Sequence, residues 1–144
     1  MLRNLLAGLP TMIACLILQA HLIVAAIKQY RSLRQVLSEN SFWLNSMLIT
    51  GVMLLLVFGS LAQIGVWALL FLLLREFPTF AEAFYHSAVN FATLGYGDVV
   101  MSAAHRLLGP LEAVNGAMMI GVSTAALTAV FQNVIMHQIR SDQR

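Results

Sequence analysis

Three long stretches without charged residues dominate the pattern of apolar and polar positions along the chain. They cover residues 4–27, 40–74 and 113–139, which contain 24, 35 and 27 residues. A helix needs about 20 predominantly apolar residues to cross the hydrocarbon core of a bilayer. The pattern therefore predicts an all-α membrane protein with three transmembrane helices, at about residues 5–27, 46–74 and 107–136.

The longest polar connection, residues 28–45, ends in Phe42 and Trp43, aromatic residues that are typical of the headgroup level. This connection and the C-terminal tail together hold five basic residues: Lys28, Arg31, Arg34, Arg140 and Arg144. The opposite side of the spans holds three: Arg3, Arg75 and Arg106. Because cytoplasmic loops carry the excess of Lys and Arg, we expect a multi-pass protein of the cell (inner) membrane with its N-terminus outside and its C-terminus in the cytoplasm.

Composition narrows the class of protein further. Apolar residues make up 60% of the 144-residue chain and charged residues only 10%. A chain of this size cannot hide that much apolar surface, which excludes a water-soluble monomer and makes membrane lipid a partner. The net charge of +2 argues against a nucleic-acid partner. Cys15 is the single cysteine, and no metal-ligand spacing or nucleophile motif occurs, so we expect neither enzyme activity nor a small-molecule substrate.

A fourth, shorter helix is predicted between the second and third spans, over residues 79–92. Pro78 precedes it, and Thr79 with Glu82 has the T-x-x-E spacing of a capping box. Its 14 residues would extend about 21 Å, which is too short to cross the bilayer. We therefore expect a re-entrant helix; an amphipathic helix at the membrane surface is the alternative.

Residues 93–98, Thr-Leu-Gly-Tyr-Gly-Asp, follow this short helix directly and alternate two glycines with larger residues. Glycine adopts positive φ easily, so the alternation allows successive carbonyl groups to point the same way. Non-helical backbone at membrane depth occurs only where it is buried in protein or lines a water-filled cavity. The segment is therefore interpreted as the wall of a carbonyl-lined cavity; a tight extracellular turn is the alternative.

The sequence T-L-G-Y-G-D resembles the T-V-G-Y-G-D selectivity filter of the potassium channel pore-domain family, and the likeness covers about residues 80–136. The resemblance implies that dehydrated K⁺ ions are bound by backbone carbonyls, and by the Thr93 hydroxyl, at four positions: Thr93, Leu94, Gly95 and Tyr96. The Tyr96 ring would point away from the conduction axis and brace the loop against the pore helices. The resemblance further implies that four residues support the filter or form its outer mouth: Gly97, Asp98, Tyr85 and His86.

The resemblance also implies how the protein works. A ring of carbonyls needs four filter strands, so we expect a homotetramer that conducts K⁺ passively across the membrane. Three other functions stay open: a weakly selective cation channel of the same architecture, a non-conducting regulatory subunit of another channel, and an intramembrane enzyme, which would need convergent ionisable groups. The additional N-terminal transmembrane helix departs from the two-span minimal pore of the family, and its role is open.

Several residues depart from the family pattern. Ala92 and Asn90 stand where threonine is common, and Tyr85 and His86 stand where many relatives carry tryptophan. The side chains that surround the filter in this chain must therefore hold it through contacts that differ from those of the family pattern. His86 suggests either a hydrogen bond to Tyr96 or a pH sensor behind the filter; a neutral, packed histidine is the alternative.

The third span holds candidates for gating and for a cavity below the filter. Its N-terminus combines Pro110 in the first turn with Glu112, whose charge suits the positive end of the helix dipole. Gly121 is a candidate gating hinge, and close helix packing is the alternative for it and for Gly116. Three residues are candidates for the cavity wall, with hydrogen bonds to their own helix as the alternative: Ser123, Thr124 and Thr128.

We divide the chain into an N-terminal transmembrane helix with its cytoplasmic linker, a pore domain and a short cytoplasmic tail, at residues 1–45, 46–137 and 138–144. Four elements follow one another within the pore domain. They are an outer helix, a pore helix, the filter and an inner helix, at residues 46–74, 79–92, 93–98 and 107–136.

Overall fold

A computed structural model describes residues 2–36 and 42–142, and the regular structure in these ranges is entirely helical. Four helices follow in order, which we name α1 (Leu2–Val36), α2 (Phe42–Leu73), α3 (Phe80–Phe91) and α4 (Leu108–Asp142). Three of them are long and apolar enough to cross a membrane, over Leu2–Ser32, Asn45–Leu73 and Leu108–Met136. The prediction of an all-α membrane protein with three spans and one short intervening helix is confirmed.

The long helices extend beyond the apolar runs that predict them. Helix α1 continues through Lys28 and Arg31 to Val36, and α4 continues to Asp142. Lys, Arg and Gln are good helix formers, so a helix does not need to end where the hydrocarbon ends. Residues 1, 37–41 and 143–144 lie outside the described residues; residues 37–41 belong to the predicted linker and residues 143–144 to the predicted tail.

Two apolar clusters hold the helices together. One joins α1, α2, α3 and α4 at the level of the short helix, through Cys15, Trp67, Ala68, Phe71, Phe77, Ala83 and Leu108. The other joins α1, α2 and α4 towards their opposite ends, through Ala26, Tyr30, Leu48, Val52, Leu56, Val130 and Val134. In lipid such contacts stabilise a bundle mainly through close packing. Helix α1 is thus packed against the other helices along most of its length.

Two buried amides and one half-buried hydroxyl connect the three long helices near the middle of the bundle. Gln63 Nε2 donates to Gln19 Oε1 at 2.7 Å, and Gln19 Nε2 donates to Ser123 Oγ at 2.8 Å. Both glutamines are buried, with 0% and 3% of their surface exposed for Gln63 and Gln19. Polar side chains that pair across helices in lipid each contribute roughly 0.6–2 kcal/mol. These bonds fix α1 to α2 and α4.

Candidate functional site

The short helix α3 begins where the local sequence predicts. Thr79 has extended backbone angles, φ −130° and ψ 152°, and its side chain accepts a hydrogen bond from the backbone N–H of Glu82. This bond satisfies one of the amide donors that a helix leaves free at its N-terminus. Helix α3 contains 12 residues, about 18 Å in length, and lies between α2 and α4. It is therefore a helix that packs inside the bundle without crossing the membrane.

The C-terminus of α3 leads directly into the glycine-containing loop. Three consecutive backbone amides bond back to carbonyls of the last turn: Ala92 to Ala88 at 3.0 Å, Thr93 to Asn90 at 2.8 Å and Leu94 to Val89 at 2.9 Å. The C-terminus of α3 is thus capped by the first residues of the loop, and no linker lies between the helix and the loop. The negative end of the α3 dipole faces the start of the loop.

Alternate residues of the loop adopt positive φ. The values are 58° at Thr93, 60° at Gly95 and 75° at Gly97, while Leu94 and Tyr96 keep ordinary negative values. Such an alternation allows successive peptide groups to take the same orientation, with carbonyls on one side and amides on the other. At Thr93, a β-branched residue, the conformation costs about 1–3 kcal/mol, and strain of this kind concentrates at functional sites.

The loop is uncovered within a single chain. Residues 92–98 are all exposed, including 56% of the surface of Leu94 and 66% of that of Tyr96. At membrane depth an irregular backbone has to be covered by protein or water. One copy of the chain does not supply that cover.

Tyr85 and Asp98 join the middle of α3 to the end of the loop. Tyr85 Oη donates to Asp98 Oδ2 at 2.6 Å, and the backbone N–H of Val99 donates to Asp98 Oδ1 at 3.0 Å. The hydrogen bond from Tyr85 holds the pKa of the Asp98 carboxyl below its usual value, and the same bond raises the pKa of Tyr85. Asp98 is thus an ionised acceptor at neutral pH.

His86 forms a second connection beside the first. Its Nδ1 lies 2.8 Å from the carbonyl oxygen of Val99, and Asn90 Nδ2 lies 2.8 Å from its Nε2. Since the Val99 carbonyl accepts and the Asn90 amide donates, the partners assign a neutral ring with its proton on Nδ1. Burial lowers the pKa of His86, which favours the same form. Within the single chain His86 forms no hydrogen bond with Tyr96, because both of its ring nitrogens have other partners.

A third connection fixes the segment that follows the loop. Glu76 Oε2 accepts from the backbone N–H of Ser102 at 2.6 Å, and Oε1 accepts from Ser102 Oγ at 2.8 Å and from His105 Nδ1 at 2.5 Å. Burial alone would raise the pKa of Glu76, but the bonds from His105 and Ser102 outweigh it and hold that pKa below its usual value. The sequence pattern does not predict this cluster; it shows only that Glu76 and His105, a carboxyl and an imidazole, lie on the same predicted side of the membrane.

The comparison with known families identifies the class of the protein. A family model for ion channels matches residues 55–133, which is more than half of the chain. The chain belongs to this ion channel family. No curated protein and no solved structure matches it. The matched region extends from the middle of α2 through α3 and the loop into α4, so the prediction of a multi-pass membrane channel is confirmed and α1 lies outside the family match.

The two glycines of the channel's inner helix differ in their surroundings. A Cβ atom at Gly116 would lie 2.0 Å from the carbonyl oxygen of Phe91, whereas one at Gly121 would meet no atom within 4 Å. Gly116 therefore permits backbone contact between α4 and the end of α3. Close packing within the chain does not account for Gly121.

The candidate cavity residues of the channel already have hydrogen-bond partners. Thr124 and Thr128 donate to carbonyls one turn earlier in α4, those of Ile120 and Thr124, at 2.9 Å each. Ser123 accepts from Gln19 of α1. Thr124 and Thr128 remain exposed in the single chain. Their hydroxyl protons are directed to the helix, which leaves their oxygens available to water.

Proposed function

We propose that four copies of this chain assemble around the loop at residues 93–98 and form a potassium-selective channel. The observation that carries the proposal is the alternation of positive φ at Thr93, Gly95 and Gly97, directly after α3. Aligned peptide groups offer several carbonyl oxygens in a row, and a ring of four such rows provides the ligands that replace the water shell of a K⁺ ion.

The ligands in this proposal are the backbone carbonyls of Thr93, Leu94, Gly95 and Tyr96, with the Thr93 hydroxyl as an additional oxygen. K⁺ is the permeant ion, held at several sites in file and released because neighbouring ions repel each other. The C-terminal ends of four α3 helices would point their partial negative charge at the entrance of the file, which favours a cation there. Transport is passive and follows the electrochemical gradient.

The connections behind the loop support selectivity in this scheme. Tyr85 bonds to Asp98, and His86 bonds to the carbonyl of Val99, so two adjacent residues of α3 hold two adjacent residues at the outer end of the loop. A loop held in this way resists contraction around an ion smaller than K⁺. These bonds would perform the task that tryptophan performs at the same positions in many potassium channels.

The proposal of a homotetramer is supported by what the single chain leaves uncovered. The exposed rings and side chains of Tyr96 and Leu94 lie next to a backbone that needs protein around it. In a four-fold assembly the α3 helices of neighbouring copies would cover them, and Tyr96 would brace the filter. We further propose that the C-terminus lies in the cytoplasm and that the outer mouth, with Asp98, faces the opposite side of the cell membrane.

Potassium flux tests the proposal directly. The purified chain is reconstituted into liposomes, and K⁺ and Na⁺ efflux are measured separately. We expect K⁺ efflux with little Na⁺ efflux. Gly95→Ala should abolish it, because alanine is strained at φ 60°. Gly65→Ala is the matched control, since Gly65 lies in α2 and a Cβ there meets nothing within 4 Å.

The remaining outcomes separate the alternatives. Equal efflux of both ions would replace the proposal with a weakly selective cation channel. Absence of efflux from folded protein would indicate a non-conducting subunit that needs another chain. The subunit count is measured by native mass spectrometry of the same preparation, where we expect four chains per particle.

A further inference from the structure

A carboxyl group is enclosed behind the pore helix, away from the candidate filter. Glu112 lies in the first turns of α4, and 0% of its surface is exposed. Its Oε1 forms a hydrogen bond with the hydroxyl of Ser87 on α3. The same Ser87 Oγ lies 2.8 Å from the carbonyl oxygen of Ile64 on α2. One hydroxyl group thus connects three helices.

The contacts of Ser87 with Glu112 and with Ile64 require two hydrogen atoms, one for each hydrogen bond. The Ser87 hydroxyl carries one hydrogen, and the Ile64 carbonyl is able only to accept. When Ser87 donates to Ile64, its contact with Glu112 requires a hydrogen from the carboxyl group. If Ser87 instead donated to an ionised Glu112, two oxygen lone pairs would face each other between Ser87 and Ile64 at 2.8 Å. Both contacts are favourable only when Glu112 carries a proton.

The surroundings of Glu112 also disfavour a negative charge. The groups that face it are the Cys15 thiol of α1, the Ser87 hydroxyl and the Asn90 amide of α3. Helix α2 contains no charged or titratable residue at all. Within the described residues no basic side chain pairs with Glu112, and its Oε2 has no hydrogen-bond partner. An isolated buried carboxylate is among the most costly groups to enclose in a protein.

We propose that Glu112 is a proton-binding site: at neutral pH it is a carboxylic acid that donates to Ser87, which in turn donates to the Ile64 carbonyl. The bound proton acts as a ligand that ties the inner helix to the pore helix and the outer helix. It also avoids a fixed negative charge behind the conduction loop. The expectation that Glu112 stabilises α4 as a charged group at the helix dipole is replaced by this assignment.

Infrared spectroscopy of the full chain tests the assignment without reference to ion conduction. A carboxylic acid has a C=O stretch that a carboxylate lacks, and a detergent without ester groups leaves that spectral region clear. At neutral pH we expect an acid band in the wild-type protein that Glu112→Gln removes. Glu82→Gln is the matched control, because Glu82 is an exposed glutamate on α3 and its substitution should leave the band unchanged. A wild-type spectrum without an acid band, or a band that persists in Glu112→Gln, overturns the proposal.

A second variant keeps the carboxyl group and removes only its partner. In Ser87→Ala the acid band should remain and shift to higher frequency. The hydrogen bond to Ser87 lowers the C=O stretching frequency of the carboxylic acid, and this variant lacks that bond. A band that keeps its frequency or vanishes would contradict the proposed bond. This comparison remains valid if Glu112→Gln does not fold. Since no ion flux is measured, failure of the channel proposal would not affect the result.

Discussion

Two glycines in the same helix are expected to respond in opposite ways to one added methyl group. Gly116 and Gly121 both lie inside α4, five positions apart. A Cβ at Gly116 would lie 2.0 Å from the carbonyl oxygen of Phe91 and 2.7 Å from its carbonyl carbon, and both are backbone atoms. A Cβ at Gly121 would have no neighbour within 4 Å. The pair therefore separates the effect of packing from the effect of helix propensity.

The magnitudes follow from these distances. Replacing glycine by alanine inside a helix contributes about 1 kcal/mol to stability when the space is free, as it is at Gly121. Inserting a methyl group into a tightly packed site costs roughly 1–3 kcal/mol. At Gly116 the obstacle is backbone, which does not rotate away as a side chain does, so the upper end of this range applies and we expect a net loss of about 2 kcal/mol after the propensity gain.

Thermal unfolding in detergent, followed by tryptophan fluorescence, measures the difference. For a chain of about this length, 1 kcal/mol corresponds to roughly 2–4 °C in Tm. Gly116→Ala should therefore lower Tm by roughly 4–8 °C, while Gly121→Ala should leave it unchanged or raise it slightly. Equal Tm values for the two variants would refute the packing of α4 against the end of α3 and, with it, the position assigned to the pore helix.

Three further predictions concern the connections around the loop and the first helix. Tyr85→Phe removes the hydrogen bond that lowers the pKa of Asp98, so that pKa should rise towards its usual value in a ¹³C NMR titration; an unchanged value would exclude the bond. Because the pKa of Glu76 is lowered in the folded state, its stabilising contribution is complete above about pH 4.5 and is lost as the pH falls through the folded pKa; Glu76→Gln should reduce the acid-induced decrease in Tm. Gln19→Leu should cost about 1 kcal/mol by leaving the buried amide of Gln63 and the half-buried hydroxyl of Ser123 without their partner, whereas the same change at exposed Gln29 should cost nothing measurable by thermal unfolding.

The elements of the fold are predictable because their causes are local. Twenty or more residues without charge leave few alternatives to a membrane span. Thr79 begins α3 because its hydroxyl reaches an amide three residues away, which is a short-range interaction. Gly95 and Gly97 adopt positive φ, as their lack of a side chain allows. In each case the residues that decide the outcome stand next to each other in the sequence.

The contacts that position the site are not predictable in this way, because they join residues far apart in the chain. Gln19 bonds to groups 44 and 104 positions away, and Ser87 and Glu112 are 25 positions apart. From the sequence, Glu112 has the properties of an exposed glutamate at a helix N-terminus. Its burial follows from the packing of α4 against α3, which no local pattern encodes. Positive φ at Thr93 is likewise unexpected, since a β-branched residue disfavours it.

The departures of the sequence from the potassium channel pattern acquire a physical meaning from the hydrogen bonds. Tyr85 and His86 are neighbours on α3, yet their side chains reach different groups, the Asp98 carboxylate and the Val99 carbonyl. Asn90, one turn after His86, directs the imidazole by donating to its Nε2. The side chain of Asn90 thus acts on the outer end of the loop through His86, while the backbone carbonyl of Asn90 accepts from the backbone N–H of Thr93 at the inner end. Both ends of the loop are therefore fixed from a single turn of the pore helix. Because a substitution at Asn90 keeps the backbone carbonyl, it should disturb the outer end, which is held through His86, and leave the bond at the inner end in place.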